Sequence, residues 1–139
     1  MTNTLSTAGT GTVTSLDAAS FGPAISGHPF AVIDFWAPWC APCRAFAPVF
    51  EAAAARHPDV LFAKVNTEDE QDIAAHFGIR SIPTLMIFRD DIIVFAEPGA
   101  LPASALDQVL AAARALDMDE VRREVAAQTG RDGGDPTAA

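Results

Sequence analysis

The sequence is poor in cysteine, nearly without lysine and free of long apolar runs, and each shortage removes a class of function. Its hydrophobic residues come in short stretches broken by Pro, Gly and Asp, none near the roughly 18 uninterrupted positions that a membrane span needs. A soluble chain with no membrane partner is expected. Met1 to Thr14 are mostly Thr, Ser and Gly, without the basic start and apolar core of a secretory signal, which points to the cytoplasm. Nine basic residues, of which only Lys64 is a lysine, face eighteen acidic ones. The resulting formal charge of −9 leaves no basic stripe to neutralise phosphates, so nucleic acid is not an expected partner, and the charge itself reads as solubility. The thiols are Cys40 and Cys43 and no others, too few for a secreted disulfide scaffold. A bridge closing so short a loop removes little chain entropy, so in a cytosolic chain the pair is more often reactive or metal-bound than structural.

What is present is half apolar and long enough, at 139 residues, for one compact domain with short tails. Residues 1–12 lack apolar periodicity and read as a flexible lead-in. Val13 to Leu16 is a short edge strand, Asp17 a helix cap, and Ala18 to Ala24 a weak helix ending at or soon after Gly22-Pro23. Phe30 to Trp36 is apolar on both alternating faces except at Asp34, as expected of a strand covered on both sides. A helix follows from Ala41 to about Arg56, with Phe46, Val49, Phe50 and Ala53 inward and Pro48 interrupting it. Then come a strand over Val60 to Asn66, caps supplied by Thr67 to Glu70, and a helix over Asp69 to Phe77. Thr84 to Arg89 and Ile92 to Glu97 form a hairpin about Asp90-Asp91, a poorer two-residue turn than Asn-Gly. A last covering helix spans Ser104 to Leu116 with Leu106, Val109, Leu110 and Ala113 on one face. This β-α-β-α then β-β-α order implies an α/β fold, an open mixed sheet of four to five strands with helices on both faces. Residues 13–116 form the expected domain. Residues 117–139 are an extension, with an amphipathic turn or two over Asp119 to Ala127 before a Gly/Asp/Pro tail.

A Cys-x-x-Cys where a strand enters a helix places its first sulfur among the unpaired N–H groups of the helix start, where an anion is favoured. Cys40 is then the thiol that ionises more readily, and Cys43, one turn further in, is placed to attack a mixed disulfide formed at Cys40. The motif also makes half of a four-ligand zinc site. No third cysteine exists and His28, His57 and His76 are scattered, so an intrachain metal site is not expected, and a metal shared between two chains is the rival reading. Ala41 and Pro42 sit where redox poise is tuned, Pro42 stiffening the first helical turn without losing a bonded N–H. Asp34 needs a partner or a task to justify burial, which raises a carboxyl pKa; it is either a satisfied polar group in the core, a bulge residue, or functional. Lys64 is its natural charge partner or an ordinary surface lysine. Pro83 cannot sit within a central strand and marks a strand start or a special turn.

Three motifs in order, Val32-Ile33-Asp34-Phe35-Trp36-Ala37-Pro38-Trp39-Cys40-Ala41-Pro42-Cys43-Arg44, then Pro48, then Phe77-Gly78-Ile79-Arg80-Ser81-Ile82-Pro83-Thr84, resemble the thioredoxin family. The resemblance covers about Val13 to Leu116. It implies a thioredoxin fold and a protein-disulfide reductase without bound cofactor, acting as a monomer through a redox-active Cys40-Cys43 disulfide. It further implies disulfide-containing client proteins and an NADPH-dependent flavin reductase as electron donor. By the same resemblance Asp34 accepts the proton of Cys43 and Lys64 lies beside it. The Ile82-Pro83 bond is cis and faces the cysteines, and Trp39, Ile82, Pro83, Gly99 and Ala100 form an apolar docking rim. Family members that serve as binding or chaperone-like adaptors give the alternative reading. Ala41 where glycine is usual, Pro38 where a polar residue often stands, and Asp90-Asp91 in the hairpin depart from the common pattern.

Overall fold

A computed structural model describes residues 11–133. Among the described residues five strands and five helices follow in the order β1 (Val13–Ser15), α1 (Ala18–Ser26), β2 (Phe30–Trp36), α2 (Ala41–Arg56), β3 (Leu61–Asn66), α3 (Gln71–His76), β4 (Thr84–Arg89), β5 (Ile92–Pro98), α4 (Ala103–Arg114) and α5 (Met118–Gly133). The strands make one sheet in the order β1-β3-β2-β4-β5. β2 lies in the middle, parallel to β3 and antiparallel to β4, which explains a strand buried along six of its seven positions. The mixed sheet of the α/β expectation is therefore present, with five strands.

Alternation along β2 sorts the core into two layers. Val32, with Phe62, Leu85 and Ile87, packs beneath Phe46 and Phe50 of α2 and Leu106 and Leu110 of α4. Ala31, Ile33 and Phe35 face the other way, against Ile25 of α1 and Ile73 of α3. Asp34 is in phase with Val32, so its side chain leaves the sheet on the face that α2 covers. Phe50 and Phe62 meet there at 5.1 Å edge to face, a geometry that favours aromatic pairs beyond simple burial.

Local chemistry explains the boundaries. Asp17 and Ser20 form a reciprocal capping box for α1, satisfying two N–H groups that the helix start leaves unpaired. The helix ends soon after Gly22-Pro23, at Ser26 instead of the expected Ala24, with Pro23 carried inside it and Ile25 buried. Glu70 is the N-cap residue of α3, but no side chain of Thr67 to Glu70 makes a capping bond: Asn66 Oδ1 accepts the N–H groups of Glu68 and Asp69, Thr67 donates to the Trp36 carbonyl, and the helix begins only at Gln71. Asp90 and Asp91 both have positive φ, 53° and 68°, the requirement of the tight hairpin turn whose twist matches the strands. The last helix, α5, is much longer than the expected turn or two. Buried Met118 and the Arg122–Asp90 ion pair at 2.8 Å hold its first turns to the domain. The flexible lead-in expected over residues 1–12 and the expected Gly/Asp/Pro tail lie largely outside the described residues.

Candidate active site

The strand β2 delivers the chain through Ala37, Pro38 and Trp39 to Cys40, which is the N-cap residue of α2. Its backbone is extended there, so its sulfur turns back over the first helical turn and accepts the Cys43 N–H at 3.2 Å. A helix-start N–H, with the dipole behind it, thus points at Cys40 Sγ, the arrangement that in general favours negative charge. Cys40 and Cys43 are joined as a disulfide, their Cα atoms 5.2 Å apart. Both are buried, at 4% and 2% exposure, so in this oxidised state the two sulfurs are distinguished by helix position more than by access. Ala41 and Pro42 are exposed in the first turn of α2, where Pro42 forfeits no intrahelical bond.

The Ile82-Pro83 bond is cis, and the Ile82 backbone oxygen lies 3.8 Å from Cys40 Sγ. Ile82 and Trp36 pack on the small cluster of Ala37, Cys40 and Cys43. Pro83 is buried, and its carbonyl accepts the Gly99 N–H at 2.7 Å. That bond fixes the 99–100 loop beside the proline, with Gly99 at φ 110°, a conformation that side-chain-bearing residues rarely adopt. Gly99 and Ala100 are exposed. Trp39 is 65% exposed, and its indole N–H donates to Glu68 Oε2 at 3.0 Å. Glu68 is a residue that sequence reasoning missed: it lies 29 positions from Trp39, in an acidic run read only as a helix start, and no local signal joins the two.

Asp34 is 4% exposed, in regular register between Lys64 of β3 and Leu85 of β4, so the bulge alternative is not what the structure has. Its Oδ1 accepts no hydrogen bond from another described residue. Burial pushes its carboxyl up to about 7, and the positive charge of Lys64 opposes the rise. Lys64 is Asp34's neighbour in register, yet its ammonium sits 4.8 Å from the Trp36 ring centroid and makes no ion pair within 4.0 Å of Asp34. An aromatic face attracts a cation without requiring the full desolvation of an ion pair, and half-buried Lys64 can reach one. Among the described residues no three His, Cys, Asp or Glu side chains converge as metal ligands, and no helix is long and apolar enough to cross a membrane.

A disulfide at a helix start, the Ile82 carbonyl against Cys40 Sγ and a buried carboxyl on the α2 face define a dithiol-disulfide oxidoreductase on a thioredoxin fold. Comparison with known proteins gives the family. The thioredoxin family model matches residues 12–112. The Streptomyces coelicolor homologue designated thioredoxin 2 is 52% identical over 118 residues, which are 85% of this chain and 88% of that one. Among solved structures, spinach chloroplast thioredoxin f aligns with a TM-score of 0.71 at 31% identity, over 76% of this chain and 89% of that one. A thioredoxin f2 in complex with ferredoxin:thioredoxin reductase aligns with a TM-score of 0.70 at 30% identity, over 76% and 98%. The chain belongs to the thioredoxin family, and its activity is protein-disulfide oxidoreduction.

Proposed function

We propose that the chain reduces client disulfides with Cys40 as the attacking thiolate and Cys43 as the resolving thiol. The observation that carries the assignment is the Cys43 N–H directed at Cys40 Sγ from the start of α2, which favours the anion at Cys40 and not at Cys43. In the reduced protein Cys40 attacks one sulfur of the client bridge, the other client sulfur leaves as a thiolate and takes a proton, and a mixed disulfide forms. Cys43 then loses its proton, attacks Cys40 Sγ and expels the remaining client thiolate. Two electrons have passed to the client, and the Cys40-Cys43 bridge remains.

Asp34 is the proton acceptor for Cys43 in this reading. Its position on the α2 face of β2 and a carboxyl raised to about 7 support the role, because a base poised near the working pH transfers protons most effectively. Lys64 acts from the neighbouring strand by holding Asp34 lower than burial alone would. Clients lie along Ile82 and Pro83, with Trp39, Gly99 and Ala100 as the exposed rim and Ala41-Pro42 beneath, pairing main chain to main chain and so with little sequence selectivity. Residues 13–116 are the working domain, which the family match over 12–112 supports. A monomer in the cytoplasm, recharged by an NADPH-dependent flavin reductase, completes the proposal. The relative solved with a thioredoxin reductase supports a reductase as partner.

Trapping tests the roles. With a protein disulfide as client, Cys43→Ser should accumulate the mixed disulfide at Cys40, while Cys40→Ser should lose turnover. Asp34→Asn should slow the resolving step at pH 7.5 by about 10- to 100-fold and the attack step far less. Full activity in Cys40→Ser refutes the mechanism, and equal slowing of both steps refutes the role of Asp34.

A further inference from the structure

Beside Cys40 the surface opens into a hollow of about 170 Å³ lined by Trp39, Thr67, Ile79, Arg80, Ser81 and Ile82. Three stretches of chain, at Trp39, at Thr67 and over residues 79–82, contribute it, and they differ in charge. Trp39 and Thr67 adjoin Glu68, whose carboxylate is committed to the Trp39 indole. The 79–82 stretch carries Arg80, exposed to solvent.

Among the described side chains the arginines and the lysine are almost all engaged. Arg56, Arg114, Arg122 and Arg123 pair with carboxylates. Arg44 and Arg89 donate to backbone carbonyls, and Lys64 lies over Trp36. Among the described side chains Arg80 has no ion pair, hydrogen bond or ring contact, although eighteen carboxylates share the chain with it. A net charge of −9 repels an acidic client at long range, and the guanidinium lining the hollow offers it one charge of opposite sign where it must dock. Its planar fork suits a carboxylate.

We infer that Arg80 is a specificity-determining residue of the exchange reaction, binding a client carboxylate about two residues from the cysteine under attack. The spacing follows from the chain: Arg80 precedes by two positions Ile82, whose oxygen lies 3.8 Å from Cys40 Sγ, and two extended residues of a client reach about 7 Å. The inference rests on the proposed attack by Cys40 on clients lying along Ile82.

The test compares three disulfide peptides identical except for Gln, Glu or Lys two residues from the cysteine attacked. Second-order rate constants for their reduction are measured with pre-reduced wild type, Arg80→Gln and Arg80→Lys. Wild type should reduce the Glu peptide about three- to tenfold faster than the Gln peptide at low salt, and the Lys peptide more slowly. The preference should fall to about one in Arg80→Gln, return largely in Arg80→Lys, and vanish at 1 M salt, where screening acts within about 3 Å. No preference for Glu in wild type, or a preference that Arg80→Gln leaves intact, overturns the inference. Failure of wild type to reduce the Gln peptide overturns the exchange chemistry itself, and the inference with it.

Discussion

Replacing Asp34 with Asn should stabilise the oxidised protein, and by an amount that depends on pH in a way only this carboxyl can produce. In the unfolded chain Asp34 ionises near its ordinary 3.8; in the fold, burial holds it protonated until about 7. Between these values the native state binds a proton that the unfolded state has lost, so native stability falls as pH rises. Well below pH 3.8 the group is neutral in both states and contributes nothing. Above about 7.5 it is charged in both, and the full penalty of burying the charge is present. At about 1.4 kcal/mol per pH unit, the span from 3.8 to about 7 amounts to roughly 4 kcal/mol. Asn is nearly the same size and does not ionise. The stability gap between Asp34→Asn and wild type should therefore open by roughly 4 kcal/mol from pH 3.5 to pH 8, beyond a constant offset for the amide. Urea unfolding at four or five pH values, with a shared m-value, measures it. A gap that stays flat, or that narrows as pH rises, refutes the burial of an ionisable carboxyl at this position. The same change that stabilises the fold should impair resolution of the mixed disulfide, so stability and activity are expected to move in opposite directions.

Two other perturbations follow from single contacts. Asp91→Gly should stabilise the hairpin by about 0.5–1 kcal/mol, since Asp91 holds φ at 68° and glycine adopts that conformation without steric cost, as thermal or urea unfolding will register. Trp39→Phe keeps an aromatic face but deletes the hydrogen bond to Glu68; it should raise client KM about two- to fivefold with kcat little changed, in steady-state reduction of a protein disulfide.

The reactive pair was legible in the sequence because its chemistry is local. A strand, a turn and a helix start lie within a dozen residues, and Cys40 at the N-cap of α2 needs no distant contact to acquire its N–H donor. Strand β2 was equally plain, since a run apolar on both faces has one place in such a sheet. Asp34 stood out because it breaks that run, and its alternation with Val32 already fixes the face it occupies.

The remainder required the tertiary structure. Whether Asp34 has a hydrogen-bond partner depends on groups contributed by α2 and β3, and Lys64 turned out to sit over Trp36, a choice between two attractive neighbours that register alone does not make. Helix α5 exceeded its weak apolar pattern because Met118 and an ion pair to the β4–β5 turn hold it, contacts that span the domain. Glu68 and Arg80 were ordinary charged residues until the fold set one against Trp39 and left the other without a partner beside Cys40. Sequence alone determines chemistry carried by neighbouring residues through backbone geometry. Which side chains from distant segments meet, and which charge remains unpaired, is decided only when the sheet brings those segments together.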